Sequence, residues 1–411
     1  MNMLLCLSHP ARLACGLGAR LAWILVKRSA DRILTTHVGS LARPHALLEL
    51  MKLKVGGQPY DEEAFADLAR SAVEDVIRRQ AECGIDIVSD GEQSKAGFYG
   101  YISDRLSGLE VDPVGVPERS VWKEELEQFP EYYREYLGGK AQTVVRNPPL
   151  VCTGPITYTG QSVLQTDIAN LKSAVAKVAV EEAFMPALAP RLIGRNEYYR
   201  SAQEFLEAVA RAMHEEYAAI VAAGFVVQID DPWLTGLHHD DPYGLGPDAY
   251  IDVINLALEG IPPESVRYHT CYGINEGPRI HDVPLETLVP LLLRIRAGAY
   301  SFEAANPRHQ HEWHVWETVT LPEDKVLIPG MISHAYNIVE HPALIAHLLV
   351  NYATLVGRER VIAGADCGFS STATFSPEVN PKVVWAKFQA LAEGARLASQ
   401  RLQRASGHKM A

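Results

Sequence analysis

Eight short apolar runs punctuate this chain, most of them followed by helical patterning, and that alternation narrows its fold more than any other feature. The runs fall at 33–38, 85–90, 150–154, 225–230, 266–270, 299–304, 325–332 and 360–367. They are continuously apolar rather than alternating, as expected of parallel strands covered on both faces. Helical periodicity fills 45–82, then EFLEAVARAMHEEYAAIVAAG before the fourth run and HPALIAHLLVNYATLVG before the eighth. Repeated βα units reaching eight strands predict an α/β chain folded as a (β/α)8 TIM barrel. A doubly wound sheet uses the same units. The barrel is preferred because chemistry-capable side chains fall at the C-terminal ends of at least seven runs, where barrel enzymes carry their sites.

With 411 residues, 47% of them hydrophobic, the chain can bury one large core. We expect a single domain over 31–400, with an insertion between the second and third strands at about 100–145 and a C-terminal tail at 401–411. The insertion, containing WKEELEQFPEYYREYL, interleaves tyrosines with charges and reads as a lid or an interface. Residues 1–30 contain no acidic residue and several arginines. They read as an untypical N-terminal extension, with a signal or transit segment as the alternative. A net charge of −12 argues against a nucleic-acid partner, which would need a basic surface. No apolar run reaches the roughly 20 residues of a membrane span. Six sparse cysteines fit metal or structural roles better than a disulfide framework. A cytoplasmic enzyme acting on small molecules is expected; the oligomeric state stays open, a homo-oligomer included.

His269, Cys271, Glu303 and Cys367 lie at the ends of three of the runs. Two thiolates, an imidazole and a carboxylate form a zinc ligand set. Their wide separation and the lack of any CxxC pair favour an active-site metal with an exchangeable position over a closed structural site. Glu303 is the ligand expected to loosen. His334, in PGMISH, is placed to act as a general acid across the mouth. Asp230 and Asp231, in QIDDPW, can bind an ammonium group, orient a histidine, or simply form a turn beside proline. Asp90 and Glu92 end the second run around Gly91, and Val38, Gly39 and Ser40 end the first, where glycine lets a ligand approach the backbone. His309, His311 and His314 read as a surface loop or helix rather than a metal site.

These residues resemble the catalytic domain of cobalamin-independent methionine synthase and its shorter relatives, which include epoxyalkane:coenzyme M transferase. The match runs from THVGS near residue 36 to the DCGF stretch ending at Phe369. Its most specific elements are HTC (269–271), FEAANPR around Glu303, PGMISH (329–334) and ADCG (365–368). The resemblance implies zinc held by His269, Cys271, Glu303 and Cys367, with His334 as the catalytic histidine. It puts homocysteine against Val38, Gly39, Ser40, Glu92 and Asp230, and Asp230 is counted with His334 as catalytic. There are departures. The chain is too short for the synthase's second barrel. The tryptophan that stacks on folate aligns with Gln161, the glutamate that contacts the pterin aligns with Gly236, and the family's DEP motif reads DDP. The thiol side is kept and the folate side is not. The primary expectation is therefore a Zn²⁺-dependent methyl transfer to a homocysteine-type thiol. One alternative is alkylation of coenzyme M or another small thiol from a non-folate donor such as an epoxide, for which Arg43 or Arg308 would bind a sulfonate. A second is a non-catalytic barrel with structural zinc.

Overall fold

The computed structural model describes residues 26–98, 100–113, 123–139, 149–191, 193–238, 241, 244–273 and 277–408. Most of the expected N-terminal extension, Trp122 and the last three residues therefore lie outside the described residues. Eight parallel strands form the barrel: β1 Leu34–Thr35, β2 Ile87–Val88, β3 Glu182–Leu188, β4 Val226–Asp230, β5 Val266–His269, β6 Ala299–Phe302, β7 Val326–Ile332 and β8 Ile362–Ala365. Neighbours pair in chain order. A β1–β8 pairing and a parallel bridge between Thr36 and Ile87 close the ring. The expected (β/α)8 barrel is thus the observed one.

One of the eight expected strands is wrong. The run at 150–154 is not in the barrel. Its strand, Leu150–Cys152, lies in a side sheet between Leu109–Val111, antiparallel, and Arg195–Asn196, parallel. The third barrel strand is EAFMPAL at 182–188, buried throughout and paired with β2 and β4. Pro186 hides it in the sequence, because proline cannot donate to a ladder and demotes a run to edge or non-strand. Here the missing N–H is tolerated, and the Pro186 carbonyl accepts instead from Lys95 Nζ at 2.7 Å. Apolarity alone could not say which sheet a run joins.

Local chemistry explains where the helices start. Asp61 caps the helix Glu62–Glu82 by accepting from the Ala64 amide at 2.9 Å, with Glu62 and Glu63 in its first turn and Arg79 in its last, as the macrodipole favours. Ser201 caps Ala202–Ala222 in the same way, and Phe205, Val209, Met213, Tyr217 and Ile220 form its buried stripe. The final helix, Pro381–His408, runs beyond the expected boundary at 400. At the other end, Val26 is already buried and its amide bonds the Glu264 carbonyl, so ordered packing begins before Asp31. Among the described residues no helix is long and apolar enough to cross a membrane.

The barrel interior is layered. Leu34, Ile87, Phe184, Val226, Ala299, Val326, Ile328 and Ile362 cluster with Val26 at its lower end. Above them the lining turns polar. Arg267, fully buried, donates to Thr36 Oγ1 and the His37 carbonyl, both at 3.1 Å, and stacks 3.9 Å from the Phe184 ring centroid. The side chains that carry chemistry stand one layer higher, at the C-terminal mouth. Two helices of the insertion, Lys123–Gln128 and Pro130–Gly139, reach the loops beyond β5 and β8. Glu125 accepts from the Ile280 amide at 2.5 Å, and Tyr136 hydrogen-bonds Glu378.

Candidate metal centre and substrate pocket

His269 is the last residue of β5, and Cys271 follows two positions later, on the same side by the period of two. Cys367 lies two residues beyond β8. The two Sγ atoms are 3.4 Å apart, and one ligand atom from each of the three residues falls within a 4.8 Å span. All three are buried. Ser301 Oγ, from β6, meets His269 Nδ1 at 3.1 Å and fixes the ring; His269 Nε2 is buried with no hydrogen-bond partner among the described residues. Burial, helped by Arg267, pulls the imidazole down to about 3, so it is neutral and able to ligate. The adjoining Cys271 thiol, then burial, push the Cys367 thiol well above its ordinary range. Two thiolates held this close would need a cation beside them. The donor set fits a soft divalent ion such as Zn²⁺.

Glu303, one residue past β6, does not join that trio. It groups instead with His334 and Asp366, again within 4.8 Å. Its Oε1 accepts from the Tyr272 amide at 2.9 Å. Its Oε2 accepts from Asn306 Nδ2 at 2.8 Å and pairs with the Arg279 guanidinium at 2.8 Å. It remains close enough for its charge to act on Cys367. His334 Nε2 faces the Gly273 carbonyl at 3.4 Å, while Nδ1 is buried with no hydrogen-bond partner among the described residues. Burial lowers His334 to about 4, against an upward pull from Asp366. Asp366 was not singled out in the sequence. It accepts from the amides of Ala304, Ala305 and Asn306 at 2.7–3.0 Å and from Asn306 Nδ2 at 3.0 Å, clamping the loop that carries Glu303. Its only signal was its place beside Cys367 in ADCG.

The other half of the mouth is acidic. Asp230 ends β4, and its Oδ1 accepts from Gln228 Nε2 at 2.8 Å. Glu92 adopts φ +54°, and its amide bonds Asp90 Oδ1 at 3.0 Å. Both carboxylates are buried. Burial raises both, and at Asp230 the charge of Glu92 adds to it. A cationic ligand group would let both ionise. No histidine hydrogen-bonds Asp230 among the described residues, so the histidine-orienting role has no support. Asp231 takes the turn reading: it accepts from Tyr268 Oη at 2.5 Å and from the Trp233 and Leu234 amides.

The segment after β1 packs against these acids. Gln228 donates to the Val38 carbonyl, and Ser40 Oγ lies 3.3 Å from Ser371 Oγ. Gly39 has φ +139°, and a Cβ there would meet Pro186 Cγ at 2.6 Å and Glu92 Oε1 at 3.3 Å. Gly39→Ala should therefore cost about 2 kcal/mol or more, from backbone strain and overpacking together. An unchanged urea midpoint would show that the segment relaxes freely.

Of the two arginines considered for a sulfonate, Arg43 is held inside the fold, whereas Arg308 is exposed. Arg43 is buried and donates to the carbonyls of Lys95, Ser370 and Glu92; Arg308 donates to those of Arg279 and Ile280. Gln161 sits at a helix start, donating to the Tyr158 carbonyl and to Glu215. The surface reading of the histidine cluster holds for His311 and His314 but fails for His309, which is buried between Asp282 (3.0 Å) and Glu312 (2.8 Å). Burial alone would lower its imidazole, but these two bonds outweigh it and push it up to about 9. Since the folded value exceeds the unfolded one of about 6.5, this contribution to stability is full below about pH 6.5 and lost as pH rises through about 9. The Tm difference between wild type and His309→Gln should shrink from pH 6 to pH 10; a constant difference would contradict the assignment.

The fold and these side chains define a (β/α)8 barrel with a thiol–imidazole centre at its C-terminal mouth. No protein-family model matches the chain. It is 25% identical over 380 residues to a methionine synthase of Saccharolobus solfataricus, covering 90% of this chain and 96% of that one. To a methionine synthase of Sulfolobus acidocaldarius it is 28% identical over 246 residues, 58% of this chain and 61% of the other. The solved structure of a B12-independent methionine synthase from a Shewanella species superposes with a TM-score of 0.68 at 20% identity, over 91% of this chain and 99% of that one. A Listeria monocytogenes structure described as a putative enzyme of the same kind gives 0.62 at 19%, over 91% and 98%. At these identities the solved structures speak for the fold. The resemblance to the cobalamin-independent methionine synthase family thus extends over most of the chain.

Proposed function

We infer that the chain is a zinc-dependent thiol alkyltransferase, most simply one that methylates a homocysteine-type thiol. The observation that carries this reading is the buried meeting of Cys271, Cys367 and His269 at a barrel mouth, with His269 Nε2 unpartnered among the described residues. These three would hold Zn²⁺, with Glu303 beside them. When bound, zinc lowers the pKa of a substrate thiol so that the thiolate forms near neutral pH. The names of the relatives agree with methyl transfer to such a thiol.

The chain's own residues divide the remaining work. Glu92 and Asp230 would take the substrate's ammonium group, whose charge offsets the burial that holds both carboxyls up. The Val38–Gly39–Ser40 segment would fix the same end of the substrate through its backbone. His334 is neutral at pH 7 and can accept a proton. It would take the proton lost by the thiol; the thiolate then attacks the alkyl carbon, the bond to the leaving group breaks, and His334 returns the proton to that group. Asp366, next to it, favours the transient imidazolium. The insertion helices, tied to the loops beyond β5 and β8, would cover the bound substrates.

A second reading changes the substrates. Gln161 and Gly236 stand where the family has folate contacts, and Gln161 is engaged with Tyr158 and Glu215. A donor other than methyltetrahydrofolate, and a thiol such as coenzyme M, would suit that loss. Cobalt substitution tests both readings. Homocysteine, then coenzyme M, would be titrated into the cobalt protein while the sulfur-to-cobalt charge-transfer absorption is followed. A rise with homocysteine alone supports the first reading, and a rise with coenzyme M alone the second. No change with either supports the non-catalytic barrel with a closed metal site.

A further inference from the structure

The loop after β5 brings a buried arginine to the edge of the metal centre. Arg279 is 5% exposed, and its guanidinium lies 2.8 Å from Glu303 Oε2. Its φ of +55° is in the left-handed region, which a non-glycine residue holds only when its surroundings insist. They do. Arg279 Nε donates to Asp282 Oδ2 at 2.8 Å, and the same oxygen meets His309 Nε2 at 3.0 Å. His309 Nδ1 meets Glu312 at 2.8 Å. Arg308 donates to the Arg279 carbonyl at 2.9 Å, and Glu125 of the insertion binds the next amide, that of Ile280. A chain of charges, buried except at the half-buried Asp282, thus runs Glu312–His309–Asp282–Arg279–Glu303.

Glu303 is claimed three times over, by Arg279, by Asn306 and by the Tyr272 amide, while His269, Cys271 and Cys367 meet without it. We propose that Arg279 is a positioning residue that competes with the metal for Glu303. The imidazole and the two thiolates are then the firm part of the ligand set, and Glu303 is the part that comes and goes. A buried carboxylate released into an apolar site would be costly; here it has a guanidinium to return to. A Glu303 carboxylate not held by the metal would have a partner already in place, the Arg279 guanidinium. The Glu125 contact joins the insertion to the same loop, so seating of that helix bears on the same equilibrium. This rests on the metal reading above.

The test measures zinc affinity of the metal-free protein by competition with a chromophoric chelator, without substrate or turnover. Wild type, Arg279→Met, Glu303→Gln and the double variant are compared. Removing the guanidinium relieves charge repulsion in either background, so the informative quantity is the difference between backgrounds. Arg279→Met should tighten zinc binding about tenfold more when Glu303 is present than when it is glutamine, the scale on which residues beyond the ligands act. Equal tightening in both backgrounds overturns the proposal, because the arginine then acts through charge alone. If Arg279→Met does not fold, Asp282→Asn, which removes the partner that orients the guanidinium, is read in the same two backgrounds. A wild type that binds no zinc overturns the metal reading itself and this proposal with it.

Discussion

Cys271→Ser and Cys367→Ser should each remove the metal and the activity together. The two sulfurs are 3.4 Å apart and belong to one ligand cluster with His269. Serine is nearly isosteric, so packing changes little, but its neutral hydroxyl cannot replace a thiolate as donor to a borderline-soft ion. Losing a partner beyond the ligands already costs 10–100-fold in metal affinity or activity. Losing a ligand should cost at least about a hundredfold by the same scale. The measurement is bound zinc after dialysis against a chelator, with the cobalt protein's charge-transfer band as a second readout. The band should fall in both variants, since each removes one sulfur donor. Wild-type turnover in a serine variant free of metal would sink the zinc reading.

His334→Gln should keep the metal and lose the chemistry. His334 stands with Glu303 and Asp366 rather than with the thiols, so the trio remains intact in the variant. General acid–base catalysis contributes about 10²–10⁴-fold, and kcat should fall by that factor with little change in zinc content. A proton balance gives a readout that a packing defect would not move. For His334 to store the thiol's proton, the charge of the bound thiolate must lift it from about 4 to above the working pH; wild type then retains that proton when the thiol binds, whereas His334→Gln releases about one more to a pH indicator. An unchanged kcat, or equal proton release from both proteins, would contradict the role.

Much of this site was legible before the fold. His269 and Cys271 share a side by strand parity, and Cys367 ends another apolar run, so residue chemistry and a period of two place all three near one mouth. Glu92 and Asp230 were each legible as strand-end acids, but their pairing came only from the family resemblance. Glu303 was legible as a strand-end carboxylate but not as the partner of Arg279, because that arginine arrives on a loop after a different strand. Asp366 passed unnoticed because an acid beside a cysteine has no pattern of its own; its meaning comes from three amides of the β6 loop that converge on it. His309 read as surface because its neighbours in sequence are polar, while its burial comes from Asp282 and from Tyr272 stacked at 4.2 Å.

The sequence by itself determined a βα alternation with seven of the eight barrel strands, the thiol, imidazole and carboxylate side chains at strand ends, and an acidic net charge. These are properties of residue type and local period, and they hold before the chain closes. The tertiary structure decided which apolar runs enter the barrel, admitting Glu182–Leu188 despite Pro186 and sending Leu150–Cys152 to a side sheet. It also decided that Glu303 pairs with Arg279 while His269, Cys271 and Cys367 meet without it. Those outcomes depend on charges and hydrogen-bond donors brought together by ring closure. A buried carboxylate takes whichever partner the fold places within about 3 Å, and linear spacing does not encode that choice.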